Sequence, residues 1–173
     1  MGSGKLSICG TIDTRIRVNH SIDKNEAKLK AARYCAYQER SQKEVRNKLY
    51  DLGLYREEVE EVISELISEN FINEERFAKA YAGGKFRIKK WGRTKITQGL
   101  KQHDISEYCI KKGLGEITEE DYHTTLSEVI NRKSNQVLES NAFVKNNKIA
   151  KHVISRGFEP DLVWKILKRS INT

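Results

Sequence analysis

The sequence predicts an all-α chain built as three tandem three-helix repeats in an elongated, curved arrangement. Three observations carry that expectation. Its 173 residues include one proline and eleven glycines, with Glu, Lys, Ile and Leu abundant, which favours helices over a strand-rich fold with many turns. Apolar residues make up 38% of the chain, too many for a disordered polymer yet below the roughly 45–50% of one compact globule, so a large surface is expected. The chain also repeats itself. Val45, Leu49, Gly53, Leu54, Val59 and Ile63 fall, 51 positions later, on Ile96, Leu100, Asp104, Ile105, Ile110 and Leu114. At 104 positions later they fall on Ile149, Val153, Gly157, Phe158, Val163 and Leu167. Five of the six positions stay apolar and the sixth is always a turn residue, the mark of tandem structural repeats.

Residues 1–24 belong to no copy and form an N-terminal extension. Within it, 5–18 places Ile8, Ile12, Ile16 and Val18 in partial alternation, compatible with a strand or an arm. The opening MGSGKLSICG lacks the apolar core of a signal peptide.

Repeat 1 spans 25–70. A helix over 25–40 carries Ala27, Ala31 and Cys35. Ser41 and Glu44 then make a capping box for a second helix, whose Val45 and Leu49 stand one turn apart. Gly53 can take the positive φ that ends it. A third helix opens with a hydrophobic staple, Leu54 on Val59, and continues its apolar stripe through Val62, Ile63 and Leu66.

Repeat 2 spans 71–116 and begins with a helix over 73–89, stapled by Ile72 and Phe77. Its remaining pair turns at Asp104 and is stapled by Ile105 and Ile110. Repeat 3 spans 117–173. A helix over 119–139 is capped by Thr118 with Asp121, and the last pair turns at Gly157, with the staple Phe158–Val163 and Pro160 at the first helical position. Three helices are the smallest unit able to close a core, and stacked copies share the remainder.

Chemistry-bearing residues are sparse. Cys9, Cys35 and Cys109 are odd in number and widely spaced, which argues against a disulfide framework and suits a reducing, cytoplasmic compartment. Cys35 reads as a packed core thiol. His20, His103, His123 and His152 have no neighbours at metal-ligand spacing, so neither metal nor cofactor is expected. No apolar run reaches the roughly 20 residues of a membrane span. Walker A, nucleophile-elbow and His-Glu-x-x-His patterns are missing, and Gly83-Gly84 alone is too weak to count as a phosphate loop, so no enzymatic activity is expected.

Charge is informative once divided along the chain. Residues 1–74 hold 12 Lys and Arg against 13 Asp and Glu, and 116–173 hold 9 against 8. Residues 75–115 hold 11 against 3, so these 41 residues carry the whole excess of +8. An unbalanced block of this kind points to a polyanion or an acidic protein surface. Lys89, Lys90, Arg93 and Lys95 put four cations within seven residues. Glycines break the block, and no single helix opposes its cations to a large apolar face, so a membrane surface is not the expected partner.

The stretch FINEERFAKAYAGGKFRIKKWGRTKITQGLKQHDIS, residues 71–106, resembles the signature of the RecX regulatory proteins. Asn73, Glu74, Glu75, Arg76, Phe77 and Ala78 match the family's Phe/Leu-x-Asp/Asn-acid-acid-Arg-Phe-Ala opening. Gly92, Ile96, Leu100 and Ile105 match its second half. SQKEVRNKLYDLG resembles the family's Ser-x-x-Glu-Leu-x-x-Lys-Leu helix, and HVISRGFEPDLVWKIL its Arg-Gly-Phe ending. Asp104 departs from the family's usual turn glycine, though Asp tolerates the left-handed conformation.

The resemblance covers about residues 25–169. It implies three tandem three-helix repeats and a non-enzymatic modulator of the RecA recombinase in DNA repair and the SOS response. Such a protein binds the RecA–DNA filament in its groove and restrains recombinase, ATPase and coprotease activities. The partners implied are therefore the RecA filament and single- or double-stranded DNA, met directly or within it, by a chain expected to be monomeric. The candidate contact residues are Arg76, Lys85, Arg87, Lys89, Lys90, Trp91, Arg93, Lys95 and Lys101. For Arg76, a local pairing with Glu75 or Asn73 competes with a partner role, and for Trp91 packing beneath the next helix competes with base stacking. Two helices joined by a Gly-bearing turn also describe a helix-turn-helix, a DNA binder acting without RecA. The second helix of the basic copy begins Ser106-Glu-Tyr-Cys-Ile, which is poorly equipped to read bases.

Overall fold

The structure is a computed structural model that describes residues 22–169. The expected arm within residues 1–24 lies largely outside them. Among the described residues the chain is helical throughout: α1 Lys24–Tyr37, α2 Gln42–Asp51, α3 Arg56–Ser68, α4 Glu74–Lys89, α5 Arg93–Gln102, α6 Glu107–Leu114, α7 Glu119–Ser134, α8 Ala142–Ser155 and α9 Pro160–Arg169. The all-α class and the tandem three-helix arrangement are as the sequence predicts.

Local signals set most of the helix ends. Ser41 Oγ accepts from the Glu44 N–H at 3.2 Å while Glu44 Oε2 accepts from the Ser41 N–H at 3.0 Å, completing the capping box of α2. Asn73 caps α4 through the Arg76 N–H, Ser106 caps α6 through the Cys109 N–H, and Thr118 caps α7 through the Asp121 N–H. The three matched turn residues share one backbone state: Gly53, Asp104 and Gly157 have φ of +94°, +59° and +91°. At the first two, the next residue's N–H reaches back five residues, Leu54 to the Leu49 carbonyl and Ile105 to the Leu100 carbonyl.

Two helices stop earlier than their apolar pattern suggests. The first, expected over 25–40, ends at Tyr37 because Gln38 turns to extended backbone. The seventh, expected over 119–139, ends at Ser134. Val137 then packs on the core from a loop, and Asn141 Oδ1 caps α8 by accepting from the Phe143 and Val144 N–H groups at 3.0 and 3.2 Å.

The core is not shared evenly. Ala27, Val45, Leu49, Leu54, Val59, Val62, Leu66 and Ile72 close a core of their own within α1–α3 and the loop that follows. A second core runs without a break from Phe77, Phe86, Ile96 and Leu100 into Tyr122, Leu126, Ile149, Val153, Phe158 and Val163. Helices α4–α9 are therefore joined by apolar packing, and α1–α3 meet them through largely polar contacts. Stacked copies share a core here at one junction only. Within the second core, α4 and α6 touch backbone to backbone, since a Cβ at Gly113 would lie 2.7 Å from the Ala78 carbonyl oxygen.

Candidate polyanion-binding surface

One contact recurs at both junctions. The start of each triplet's second helix sits against the last turn of the next triplet. Ser41, at the start of α2, shares a 3.2 Å hydrogen bond with His103 Nδ1, and Lys43 donates to the Gln102 carbonyl at 3.0 Å while pairing with Asp104 at 3.1 Å. Fifty-one residues on, Gly92 at the start of α5 donates its N–H to the Arg156 carbonyl at 2.9 Å, and the Thr94 N–H donates to the Gly157 carbonyl at 3.1 Å. The approach is close enough that a Cβ on Gly92 would lie 2.1 Å from the Gly157 oxygen. Arg156 answers by donating from Nε to the Lys90 carbonyl at 3.3 Å and from Nη2 to the Lys89 carbonyl.

These junctions place the cationic block. Lys90 is the C-cap of α4 and holds a left-handed conformation with φ +52°, so α4 stops there and Trp91-Gly92 turns into α5. Arg87 and Lys89 are exposed on the last turn of α4, and neither has a carboxylate within ion-pair distance among the described residues. Lys89 borders a groove of about 420 Å³ with Ile88, Tyr81, Phe77 and His103 along it and Glu39 and Glu44 on the far side. Cations in the last turn also suit the negative end of the α4 dipole.

The other candidates have partners. Arg76 meets Asn73 only through its backbone N–H, and its side chain takes up neither local alternative. Its Nε bonds Glu39 Oε1 at 2.6 Å and its two Nη atoms bond Asn70 Oδ1 and the Asn70 carbonyl, tying α4 to the loops after α1 and α3. Glu75 instead pairs with Lys79. Lys90 pairs with Glu128 at 3.3 Å, and Arg93 with Glu119 at 2.7 Å. The Arg93 guanidinium also lies 4.1 Å from the Tyr122 ring centroid. Lys101 pairs with Glu107. Trp91 is half-buried on the second core, with the ammonium groups of Lys85 and Lys95 at 5.1 and 4.8 Å from its ring centroid. Lys101–Glu107 is solvated on both sides, and ion pairs of that kind contribute about 0–1 kcal/mol, so a phosphate or a partner carboxylate can replace Glu107 at little cost.

By sequence, Tyr122 is one of the apolar residues of the 119–139 helix, and its role at the junction is missed. It is fully buried at the junction, where its hydroxyl accepts from the Arg93 N–H at 3.2 Å and donates to Glu159 at 2.5 Å. Burial, with Glu159 beside it, pushes the phenol well above its usual range, so the ring stays neutral and keeps donating. The available signal was its place as the fourth residue of α7, which Phe77 occupies in α4. Cys35 behaves as expected of a core thiol, since burial raises its pKa to about 11. Among the described residues there is no group of three or more His, Cys, Asp or Glu able to hold a metal ion, and no helix is long and apolar enough to cross a membrane.

Comparison with known proteins agrees with this architecture. The family description "RecX, first three-helix domain" matches residues 27–66, and "RecX, second three-helix domain" matches residues 73–114. A protein named Regulatory protein RecX from Clostridium perfringens strain 13 is 28% identical over 135 residues, which is 77% of this chain and 63% of that protein. The protein of the same name from Clostridium botulinum strain Alaska E43 is 25% identical over 98% of this chain and 76% of its own length. The chain thus spans somewhat under two thirds of the Clostridium perfringens relative. Among solved structures, RecX from Lactobacillus salivarius superposes with a TM-score of 0.75 over 84% of this chain and 95% of that one, at 23% identity. A second, described as regulatory protein RecX, gives 0.77 over 84% of this chain and 73% of that one, at 20% identity. At these identities the structural matches establish the fold, and they agree with the two matched three-helix domains. With the repeats, their shared junction and the structural matches in agreement, the chain carries the first and second RecX three-helix domains over residues 27–66 and 73–114.

Proposed function

We propose that this chain binds the RecA–DNA filament in its groove and restrains recombinase, ATPase and coprotease activity during DNA repair, acting as a cytoplasmic monomer by binding rather than by catalysis. The observation that carries this reading is the pair of consecutive RecX three-helix domains over residues 27–66 and 73–114. The charge distribution supports it. Residues 75–115 hold the whole net excess of +8, and Arg87 and Lys89 are exposed on the last turn of α4 without carboxylate partners among the described residues. A tandem array joined by one recurring contact presents such groups along its length, as a groove ligand requires.

The test mixes the purified chain with cognate RecA filaments and follows ATP turnover and co-sedimentation, with naked single-stranded DNA as control. Turnover should fall and the chain should sediment with the filament more strongly than with DNA alone. Tight binding to one duplex sequence without RecA would favour the helix-turn-helix reading instead. The start of α6 offers little for that role, because Glu107 is engaged by Lys101 and Ser106 Oγ donates to Glu74 at 2.8 Å.

A further inference from the structure

A second cationic feature shares Lys90 with the central block and draws its other cations from sequence that is close to neutral overall. The last turns of α7 and α8 and the C-cap of α4 enclose a recess of about 250 Å³. Lys90 enters it from α4, Arg132 and Lys133 from α7, and His152 and Arg156 from α8, over a floor that includes Val129. Lys90 is held by Glu128, but among the described residues no carboxylate lies within ion-pair distance of Arg132, Lys133 or Arg156.

We propose that this recess holds a phosphate group of a nucleic-acid backbone. The proposal rests on the function proposed above and deepens it by naming a phosphate contact where α4, α7 and α8 end.

Like charges brought together repel, and a fold retains them where something offsets the repulsion. The C-terminal helix dipoles supply part of that offset, since each cation sits at the negative end of a helix. An oxoanion supplies the rest. Donors arrive here from three different helices, which suits a tetrahedral phosphate better than a planar carboxylate with its two oxygens on one side. Burial and the charges of Lys133 and Arg156 already hold the His152 imidazole below its usual range, so its titration reports directly on any anion that enters. The recess is also continuous with the candidate surface. Lys90 belongs to both, and Arg156 binds the carbonyls of Lys89 and Lys90. A strand whose phosphates meet Arg87 and Lys89 thus finds a further site at the adjoining junction.

The experiment follows the His152 ring proton of the full chain by NMR, assigned through its loss in His152→Gln. Inorganic phosphate is titrated against chloride at matched ionic strength, followed by oligothymidylate and oligoglutamate in separate arms. Phosphate and oligothymidylate should both shift the signal saturably and raise the His152 titration midpoint. Arg132→Gln with Lys133→Gln should abolish that response with the helical circular dichroism unchanged. Losing one phosphate contact should lower the slope of log K against log salt for oligothymidylate by about 0.7. No response to phosphate in the native chain, or an unchanged slope in the double variant, would overturn the proposal. A response to oligoglutamate alone would overturn it too, and would make the recess a contact for an acidic protein. A normal phosphate response in a chain that leaves RecA turnover untouched would support the recess while removing the function proposed above.

Discussion

Gly92 and Gly157 show how much one missing Cβ can decide. Gly157 needs its positive φ for the turn, and a side chain there would also press to 2.3 Å from the Lys95 Cβ. Gly92 needs no special dihedral, yet backbone lies 2.1 Å from where its Cβ would be, and backbone cannot rotate away as a side chain can. Gly92→Ala should therefore destabilise the α4–α9 part by about 2–3 kcal/mol, at the upper end of ordinary overpacking, measured by urea unfolding. An unchanged midpoint would mean that the junction is looser than described. The cations divide in the same residue-specific way. Arg87→Glu with Lys89→Glu touches no ion pair, so melting should barely move while filament binding is lost. Arg93→Glu would face Glu119 and remove the guanidinium from the Tyr122 ring, so it should lower the melting temperature as well. A calorimetric scan beside the co-sedimentation assay separates the two outcomes. Reversing Lys89, Lys90, Arg93 and Lys95 together would mix both effects.

At the scale of elements, α1–α3 depend on ion pairs more than their neighbours do. Lys28 pairs with Glu65 and Glu69, and Arg46 with Glu60, which hold the Glu60 and Glu65 carboxyls below the usual range. A carboxylate whose folded pKa is lowered stabilises the fold above its unfolded pKa, near 4.3, and loses that contribution as pH falls through the lowered value. Acidification from pH 5 toward 3 should thus loosen α1–α3 first, with hydrogen exchange rising there before it rises in α4–α6. These groups are solvated, so the effect should be graded rather than an abrupt transition. Exchange that rose first in α4–α6 would contradict the assignment. The elements themselves were legible because caps and turns are local: Ser41 with Glu44, Thr118 with Asp121, and the Gly, Asp, Gly series lie within four residues of what they control. The end of α7 was misjudged because Val137 has the spacing of a helical core residue. A loop returning to the core buries the same side chain.

For the whole molecule, the decisive feature is that one junction is apolar and the other polar. A chain beginning at residue 70 should fold, because α4–α9 keep a continuous core. A chain ending at residue 116 should leave α4–α6 poorly folded, since Phe86 loses Tyr122, 6.0 Å away between ring centroids, and Gly92 loses the turn at Gly157. Circular dichroism and thermal melting of the two fragments would check this, and equal stability would argue that each triplet stands alone.

Sequence by itself determined the helices, the period of the repeat, the turn conformations and the location of the positive charge, because each rests on spacing within one turn or on a simple count. Only the tertiary structure decided which cations are engaged and which are open, since their partners lie 26 residues away for Arg93, 38 for Lys90 and 37 for Arg76. The recess of Arg132, Lys133, His152 and Arg156 was hidden for the same reason. Its cations are diluted by acidic neighbours along the chain and gather only where three helices end together.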